Sequence, residues 1–580
     1  MEIVLDEERK KILSTTGHTL IIGGPGSGKT TIALLRAHKE INSNTLKPYQ
    51  KVLFLSFARA TVTRINEVVG KMLSKTEQKQ LQIETYHGFA WNLVRSHGYL
   101  LKDTKIIRLL PPPEAASHLA SFLEEDRDKE KIRLFEEEGL LHFDLFAKKA
   151  TEILSRSNVI CKIVSNTYPL IILDEFQDTN PDEWSMIQEL GRNSTLISLA
   201  DAEQRIYNFR GADPKRIGDF MSLFSPTTFD FGSQNNRSTG KDITLFGNDL
   251  LTGANISKNY IDVEVIRYPN GRKGQGSVSS ILKVEVIKGI ASLVSSGKLE
   301  WSLVILVPTK KLMLEVSDYL NSEQRFKSGR RLIPIYHEVA VDAYGPSLAA
   351  TLLARLLEGE GGTGSLGQKI AGDLCAHIRG RNGGERITAS DQEILSSLNE
   401  YISSGICGKR NKALIQECIK IPELRKAVVL SGDPEEDWLT MRRIIISLKS
   451  KAFLKVEEDA NYLRLLHKGA TLRSLLSESW KKNGNYSKAA SLVQNALMHE
   501  HFSASTKKWK GVQVMTIHKS KGKEFDEVLI YEGLHTGRIV THGSSQEEID
   551  QKRLVLRVGV TRGINKVKIF TPESDPCILL

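Results

Sequence analysis

Residues 20–31, LIIGGPGSGKTT, constrain the fold of this chain most, because an apolar run leads into a glycine-rich loop that ends in Lys-Thr. The pattern Gly-x4-Gly-Lys-Thr falls on Gly23, Gly28, Lys29 and Thr30. It predicts a strand, a loop whose backbone N–H groups cradle phosphate oxygens, and a helix whose N-terminus attracts anions. Lys29 is then expected to reach the β- and γ-phosphates, and Thr30 to hold Mg²⁺. The sequence therefore predicts an ATP or GTP site whose loop contacts are Gly24, Pro25, Gly26, Ser27, Gly28, Lys29, Thr30 and Thr31.

A second segment, residues 170–180 (LIILDEFQDTN), supplies the other half of a nucleotide site. Its apolar run predicts a buried strand that ends at Asp174 and Glu175. The first carboxylate at the end of such a strand can hold Mg²⁺, and the second can polarise the attacking water as a general base. We therefore expect Asp174 to be a metal ligand and Glu175 to act in catalysis.

Apolar runs that alternate with helical patterns predict an α/β fold with parallel sheets. After the strand that precedes the glycine-rich loop, strands are predicted at residues 51–57, 169–175 and 194–201. A later set is predicted at residues 303–308, 512–517, 526–533 and 566–572. The charged helical stretch 112–165 interrupts the first set, and a longer, mostly helical stretch interrupts the second. We infer two α/β domains, each with a helical insertion.

The charge of the chain favours a polyanionic partner. The 580 residues carry a formal net charge of +11, which favours nucleic acid over the alternative of an inert basic surface. The five cysteines are scattered without a Cys-x2-Cys pair, which argues against a structural zinc site. No signal peptide is visible, and no apolar run is long enough for a membrane-spanning helix. We therefore expect a cytoplasmic protein without a membrane partner.

Further short segments follow one another in a fixed order: LSFARA (55–60), TYHGF (85–89), DEFQDT (174–179), ADAEQRIYNFRGAD (200–213), QNNRST (234–239), VMTIHKSKGKEFDEV (514–528) and RVGVTRG (557–563). In this order they resemble the motifs of the UvrD/Rep/PcrA-type superfamily 1 DNA helicases, which read TFTNKA, TFHSF, DEFQDT, GDDDQSIYxWRGA, QNYRST, LMTIHxSKGLEFPxV and YVGVTRA. The resemblance extends from residue 5 to residue 572.

The resemblance implies two RecA-like parallel-sheet domains, 1A and 2A, with mostly helical insertions, 1B and 2B. The boundaries it implies are 1–90 and 166–230 for 1A, 91–165 for 1B, 231–340 and 506–580 for 2A, and 341–505 for 2B.

The resemblance also implies roles in ATP hydrolysis. Gln204 would sense the γ-phosphate and couple it to DNA. Arg237 and Arg562 would reach the γ-phosphate from the second α/β domain as arginine fingers, so hydrolysis would require closure of the cleft. With Lys29, Asp174 and Glu175 they complete the predicted catalytic set. Contacts to phosphate and ribose are implied for Gly522 and Glu524, and a contact to adenine for Arg36.

Several side chains match positions that contact single-stranded DNA in this family. Phe57, Tyr207 and Phe209 match residues that stack on or flank the bases. Such stacking does not depend on the identity of the base, because every base has a π-face. Backbone contacts are implied for Thr85, His87, Thr516 and His518.

Three departures from the family pattern bear on these roles. Arg9 stands where family members place a glutamine that reads adenine, and a contact to the nucleotide is expected for Arg9 there. Asn236 replaces the tyrosine that stacks on adenine. Both changes weaken the expectation of strict adenine selection. Arg59 and Ala60 replace an Asn-Lys pair, and Arg59 is expected to supply the DNA backbone contact.

The leading hypothesis is an ATP-dependent helicase or translocase that moves 3′ to 5′ on single-stranded DNA and acts at duplex junctions with ATP and Mg²⁺. Because the chain ends soon after residue 572, it leaves no room for a C-terminal nuclease, and we expect a compact, divergent member. The alternative is a DNA-sensing ATPase subunit that unwinds little and acts with a nuclease or other protein subunit in DNA repair or antiviral defence. An RNA helicase is less favoured, because DEFQDT and GVTRG resemble the DNA-acting branch.

Overall fold

The computed structural model describes residues 6–24, 26–43, 45–57, 59–102, 106–201, 215–232, 242–269, 278–325, 331–340, 344–359, 365–384, 387–461, 470–502, 509–534, 536–541 and 543–580. The predicted site residues outside these ranges are Pro25, Gln204, Tyr207, Phe209, Asn236 and Arg237. Their roles stay predictions. Within the described ranges, no helix is long and apolar enough to cross a membrane.

The described strands alternate with helices through most of the chain. In chain order the strands are β1 (Thr19–Ile22), β2 (Val52–Ser56), β3 (Leu81–Thr85), β4 (Arg108–Leu109), β5 (Leu140–Leu141), β6 (Leu170–Leu173), β7 (Thr195–Ala200), β8 (Thr227–Asp230), β9 (Val263–Tyr268), β10 (Ser302–Val307), β11 (Gln324–Arg325), β12 (Arg331–Leu332), β13 (Glu338–Val339), β14 (Gly511–Thr516), β15 (Phe525–Tyr531) and β16 (Gly563–Pro572).

The described α-helices are α1 (Glu7–Ser14), α2 (Lys29–Asn42), α3 (Arg59–Met72), α4 (Lys75–Gln78), α5 (Tyr86–His97), α6 (Pro112–Leu119), α7 (Glu124–Arg133), α8 (Phe146–Arg156), α9 (Asn158–Thr167), α10 (Pro181–Gly191), α11 (Arg216–Phe224), α12 (Ile243–Thr252), α13 (Ser280–Ser295), α14 (Lys310–Asn321), α15 (Tyr344–Glu358), α16 (Leu366–Gly380), α17 (Ala389–Ser404), α18 (Lys412–Lys426), α19 (Pro434–Ser447), α20 (Lys451–Asn461), α21 (Ala470–Asn483), α22 (Ala489–Phe502) and α23 (Gln546–Val560).

The first sheet contains the strand that leads into the glycine-rich loop. Its order is β3-β2-β6-β7-β1-β8, and every neighbouring pair is parallel. Strands β2 and β6 are buried along their whole length, as a parallel sheet covered by helices on both faces requires. The predicted strands at 51–57, 169–175 and 194–201 are therefore confirmed, and β3 and β8 extend the sheet at its two edges.

The second sheet is also parallel throughout, in the order β13-β14-β10-β15-β16-β9. Strands β10 and β15 lie at its centre and are fully buried. Because all strands of a sheet run in one direction, their carboxyl ends share one edge, which is where open α/β sheets bind ligands. The predicted strands of the later set are confirmed within this sheet.

The chain divides into two compact units, and both sheets belong to the unit formed by Met1–Val94, Ala147–Val341 and Ala504–Leu580. The other unit, Arg95–Phe146 and Asp342–Ser503, is mostly helical. Its core forms around α15, which is buried on nearly all sides and rich in alanine and leucine. An α/β fold with two parallel sheets and mostly helical insertions is thus confirmed, while the predicted boundaries of the four domains stay a prediction.

Candidate active site

The glycine-rich loop connects β1 to α2 and bends sharply at two glycines. Gly26 and Gly28 have φ angles of +77° and +91°, in the left-handed region that glycine adopts without steric cost. Gly28 is the N-cap of α2, and no side chain caps this helix. The Nζ atom of Lys29 donates hydrogen bonds to the carbonyl oxygens of Gly23, at 2.6 Å, and Gly24, at 2.9 Å. The loop therefore combines an ammonium group with a helix N-terminus, the two features that attract phosphate.

Two carboxylates follow β6 at the same edge of the sheet. Asp174 accepts a 3.0 Å hydrogen bond from Ser56 Oγ at the end of the neighbouring β2. The Tyr86 hydroxyl donates to the backbone carbonyl oxygen of Asp174 at 3.2 Å. Glu175 has a φ angle of +53°, a strained conformation for a residue with a Cβ atom. Its Oε2 atom accepts a 2.7 Å hydrogen bond from Gln177 Nε2, which fixes the side chain.

The surroundings shift the pKa values of these two carboxylates in opposite directions. Burial, reinforced by the nearby Glu175, raises the pKa of Asp174 to about 7. Burial by itself would also raise the pKa of Glu175, but the ammonium groups of Lys521 and Lys29 hold that pKa below its usual value. Two neighbouring carboxylates with divergent pKa values are typical of sites that bind cations or transfer protons.

The site has the donor set that a magnesium ion needs. Asp174 and Thr30 line the same cavity and offer a carboxylate and a hydroxyl oxygen, which are the hard ligands that Mg²⁺ prefers. The Asp174 carboxylate is buried next to the negatively charged Glu175, so it needs compensating positive charge. A divalent cation would supply that charge, so the residues present fit this ion.

Two basic side chains that follow or flank strands of the second sheet reach acidic groups of the first. Lys521, after β14, pairs with Asp178 and lies 3.6 Å from Glu175 Oε2. Burial raises the pKa of Asp178 to about 7, although Lys521 opposes this shift. Arg557 of α23 is also buried and lies 3.9 Å from Asp201 Oδ1 at the end of β7. These pairs link the carboxyl edge of the first sheet to the segment that precedes β15 and to the helix that precedes β16.

A cavity of about 360 Å³ lies where these groups meet, and residues from both sheets line it. The first sheet contributes residues 26–31 together with Asp174, Glu175 and Asp201. The second contributes Gly522, Glu524 and Arg562. Apolar side chains complete the wall: Leu34, Ile65, Val68, Leu199 and Ile564. The cavity thus places phosphate-binding, acidic and basic groups next to an apolar surface.

The comparisons with known proteins agree with this geometry. The model of the UvrD/REP helicase N-terminal domain matches residues 5–138 and 124–225, and that of the UvrD-like helicase C-terminal domain matches residues 286–570. The chain belongs to the UvrD-like helicase family. Its two parallel sheets are accordingly the cores of two RecA-like domains.

Individual relatives are distant in sequence. DNA helicase II of Haemophilus influenzae is 25% identical over 51% of this chain, and the aligned part spans only 47% of that relative. The putative ATP-dependent DNA helicase YjcD of Bacillus subtilis is 21% identical over 98% of this chain and 78% of its own length. The ATP-dependent DNA helicase PcrA of Staphylococcus aureus is 21% identical over 96% of this chain and 81% of its own.

Within this UvrD-like site, Arg562 lines the cavity from the second sheet. Its guanidinium donates to the carbonyl oxygen of Val558 at 2.9 Å and to the Thr561 hydroxyl at 3.2 Å. Gly522 has a φ angle of +76°, so the turn after Lys521 requires a left-handed residue. The structure therefore brings Arg562, Gly522 and Glu524 together with the glycine-rich loop.

The two arginines predicted to contact the nucleotide base, Arg9 and Arg36, instead contact other residues of the protein. Arg9 donates a 3.1 Å hydrogen bond to the carbonyl oxygen of Ser27 and packs its guanidinium 4.5 Å from the Phe231 ring centroid. Arg36 forms an ion pair with Glu40, one helical turn further along α2, at 2.5 Å. Neither arginine is among the residues that line the cavity. Their contacts to adenine stay a prediction.

Several of the described residues predicted to contact DNA lie at or after the carboxyl ends of strands. Phe57 follows β2, and its ring lies 4.7 Å from that of Tyr86. Thr85 ends β3 and accepts a 3.0 Å hydrogen bond from the backbone N–H of Gly88. His87 Nδ1 lies 3.5 Å from Glu183 Oε1.

The remaining predicted DNA contacts include two on the second sheet. Thr516 ends β14 and is nearly buried, and His518 follows it. Burial lowers the pKa of His518, and the nearby Lys552 lowers it further. Arg59 is the first residue of α3. The structure places these residues without testing their contacts to DNA.

Sequence reasoning missed several residues that shape the site. Gln177 donates to Glu175 and accepts a 3.0 Å hydrogen bond from the backbone N–H of Asp201. This glutamine lies inside the DEFQDT segment, so the motif itself could have pointed to it. Lys521 and Arg557 also lie inside quoted segments, 514–528 and 557–563, but their acidic partners depend on how closely the two sheets approach, which no local pattern encodes.

Proposed function

We propose that this chain is an ATP-dependent DNA helicase that translocates 3′ to 5′ on single-stranded DNA and hydrolyses ATP, with Mg²⁺, between its two RecA-like domains. The observation that carries the proposal is a cavity lined both by the glycine-rich loop and Glu175 of the first RecA-like domain and by Arg562 of the second. A triphosphate in this cavity would meet the groups of both domains. Hydrolysis would therefore couple to their relative motion.

In this proposal each group around the triphosphate has one task. The ammonium of Lys29 and the N-terminus of α2 bind the β- and γ-phosphates. Glu175, whose pKa is held below its usual value, stays ionised and accepts a proton from the attacking water. Arg562 stabilises the charge that develops on the γ-phosphate. Thr30 and Asp174 would hold Mg²⁺, which would supply positive charge against the triphosphate.

Single-stranded DNA would lie across the carboxyl edges of the two sheets. Phe57 provides an aromatic surface there, and Thr85 and Thr516 end strands of the first and second sheets at these edges. The net charge of +11 adds an attraction to phosphate that does not depend on DNA sequence. Binding should therefore tolerate any base sequence and weaken steeply as salt concentration rises.

The test combines ATP hydrolysis with strand displacement by the purified chain. Oligo-dT should stimulate hydrolysis, and a duplex with a 3′ single-stranded tail should be separated while one with a 5′ tail should not. Glu175→Gln serves as the control, because it should bind DNA without displacing a strand. Hydrolysis that is indifferent to DNA at low salt would contradict the proposal.

The same experiment separates the helicase from the alternative predicted from sequence. Stimulated hydrolysis without displacement from either tail would favour an ATPase subunit that acts through another protein. Displacement of RNA–RNA strands in preference to DNA would favour an RNA helicase. A nuclease partner and a role in DNA repair or antiviral defence stay predictions.

A further inference from the structure

The Tyr86 side chain lies between a residue predicted to contact DNA and the acidic end of β6. Tyr86 begins α5 immediately after β3, and only 1% of its surface is exposed. Its ring lies 4.7 Å from the half-buried Phe57 ring, at an angle of 42°. Its hydroxyl donates to the backbone carbonyl oxygen of Asp174 at 3.2 Å. One buried side chain thus contacts both places.

The carbonyl oxygen that accepts this hydrogen bond belongs to the peptide group that precedes Glu175. The carbonyl of Asp174 is part of the peptide that joins Asp174 to Glu175, so its orientation is coupled to the φ angle of Glu175. That angle is +53°, in a region that residues with a Cβ atom adopt only when the surroundings hold them there. The Tyr86 hydroxyl is one of the groups that hold this peptide.

The same segment that carries Phe57 also fixes the Asp174 side chain. Ser56, the residue before Phe57, donates its hydroxyl to Asp174 Oδ2 at 3.0 Å. A base that stacks on Phe57 would therefore push against packed side chains, those of Ser56 and Tyr86, that contact Asp174 and the peptide group joining it to Glu175. Buried, close-packed groups transmit such displacements because they leave little free space.

We propose that the Tyr86 hydroxyl is a positioning group that links occupancy of a single-strand site at Phe57 to the backbone conformation of Glu175. This inference rests on the function proposed above. With DNA bound, the hydroxyl holds the peptide in the orientation that directs the Glu175 carboxylate toward the attacking water. The family motif TFHSF, which residues 85–89 resemble, has phenylalanine at this position, so loss of the hydroxyl should reduce stimulation by DNA without abolishing it.

The test compares Tyr86→Phe with a matched tyrosine in the same compact unit. Tyr168 packs against Phe89 of the same helix and donates its hydroxyl to Gln82 at 3.0 Å, away from the acidic segment. For the unmodified chain and both variants, kcat and KM for ATP are measured with and without oligo-dT. The dissociation constant for a fluorescent oligo-dT and the melting temperature are measured in parallel.

In Tyr86→Phe the ratio of kcat with DNA to kcat without DNA should fall about three- to tenfold, the factor that one net hydrogen bond supplies. KM for ATP and the dissociation constant for oligo-dT should stay at the values of the unmodified chain. Tyr168→Phe should keep the full ratio. An unchanged kcat ratio in Tyr86→Phe would overturn the inference. A lower ratio would also overturn it if weaker DNA binding explained the decrease or if Tyr168→Phe showed the same decrease. If oligo-dT does not stimulate the unmodified chain, the proposed function fails, and the inference fails with it.

Discussion

The ammonium group of Lys521 lies 3.6 Å from the Glu175 carboxylate, although the two residues follow strands of different sheets. The same ammonium pairs with the fully buried Asp178. Lys521 therefore compensates two acidic side chains of the first sheet from the second. It lowers the pKa of Glu175 and opposes the rise in that of Asp178, which makes it a central charge of the site.

Lys521→Met should destabilise the folded chain. Removing one member of a buried ion pair leaves the other without compensation and costs about 3–5 kcal/mol. Lys510→Met is the control, because Lys510 and Glu300 form an exposed pair that contributes at most about 1 kcal/mol. Calorimetric melting measures both. Equal small shifts in the two variants would show that the Lys521 pair contributes no more than a surface contact.

The stability of the first RecA-like domain should depend on the protonation of His18. Its Nδ1 atom accepts a 3.2 Å hydrogen bond from the backbone N–H of Leu196, which only the neutral ring can do. Burial lowers the pKa of His18 below its ordinary value of 6.5. The unfolded chain thus binds the proton more readily, so this contribution to stability is complete above pH 6.5 and is lost as the pH falls through the pKa of the folded state.

His18→Asn keeps an acceptor but removes the titration. The decrease in melting temperature from about pH 7.5 to about pH 5.5, a range that spans the ordinary histidine pKa, should be smaller in this variant than in the unmodified chain. Other histidines titrate in both proteins, so the comparison isolates His18. An identical decrease in the two proteins would contradict the assigned role of the Leu196 contact.

Arg9 should stabilise the glycine-rich loop rather than recognise the base of the nucleotide. Its guanidinium contacts the Ser27 carbonyl oxygen and the Phe231 ring and pairs with Asp6. Arg9→Ala removes the ion pair and the ring contact, so kcat/KM should fall for ATP and GTP by the same factor, about two- to tenfold. Steady-state hydrolysis of both nucleotides measures this. A change in the ratio of the two values would show that Arg9 reads the base.

Much of the fold was predictable because buried parallel strands leave a continuous apolar pattern. The runs at 51–57 and 169–175 correspond to β2 and β6, which are buried along their length. The edge strands β3 and β9 were not predicted, because Leu81–Thr85 and Val263–Tyr268 mix polar with apolar residues and are partly exposed. An edge strand needs no continuous apolar run.

The site was predictable only where local motifs define it. The glycine-rich loop and Asp174 lie where their patterns placed them, because backbone conformation fixes both. Lys521 and Asp178 lie 343 residues apart in the sequence and meet only after the two sheets have formed. For Arg36, the sequence also contains a competing partner, Glu40, at the spacing of one helical turn.

Both RecA-like domains should act on one ATP in the shared cavity. Single-turnover hydrolysis of ATP by Glu175→Gln and Arg562→Ala, with oligo-dT present, tests this proposal. We expect both variants to bind a fluorescent ATP analogue while hydrolysis slows about 10²–10⁴-fold in Glu175→Gln and about 10²–10³-fold in Arg562→Ala. Hydrolysis at the rate of the unmodified chain in Arg562→Ala would contradict the proposal, because the second domain would then contribute nothing to the chemistry.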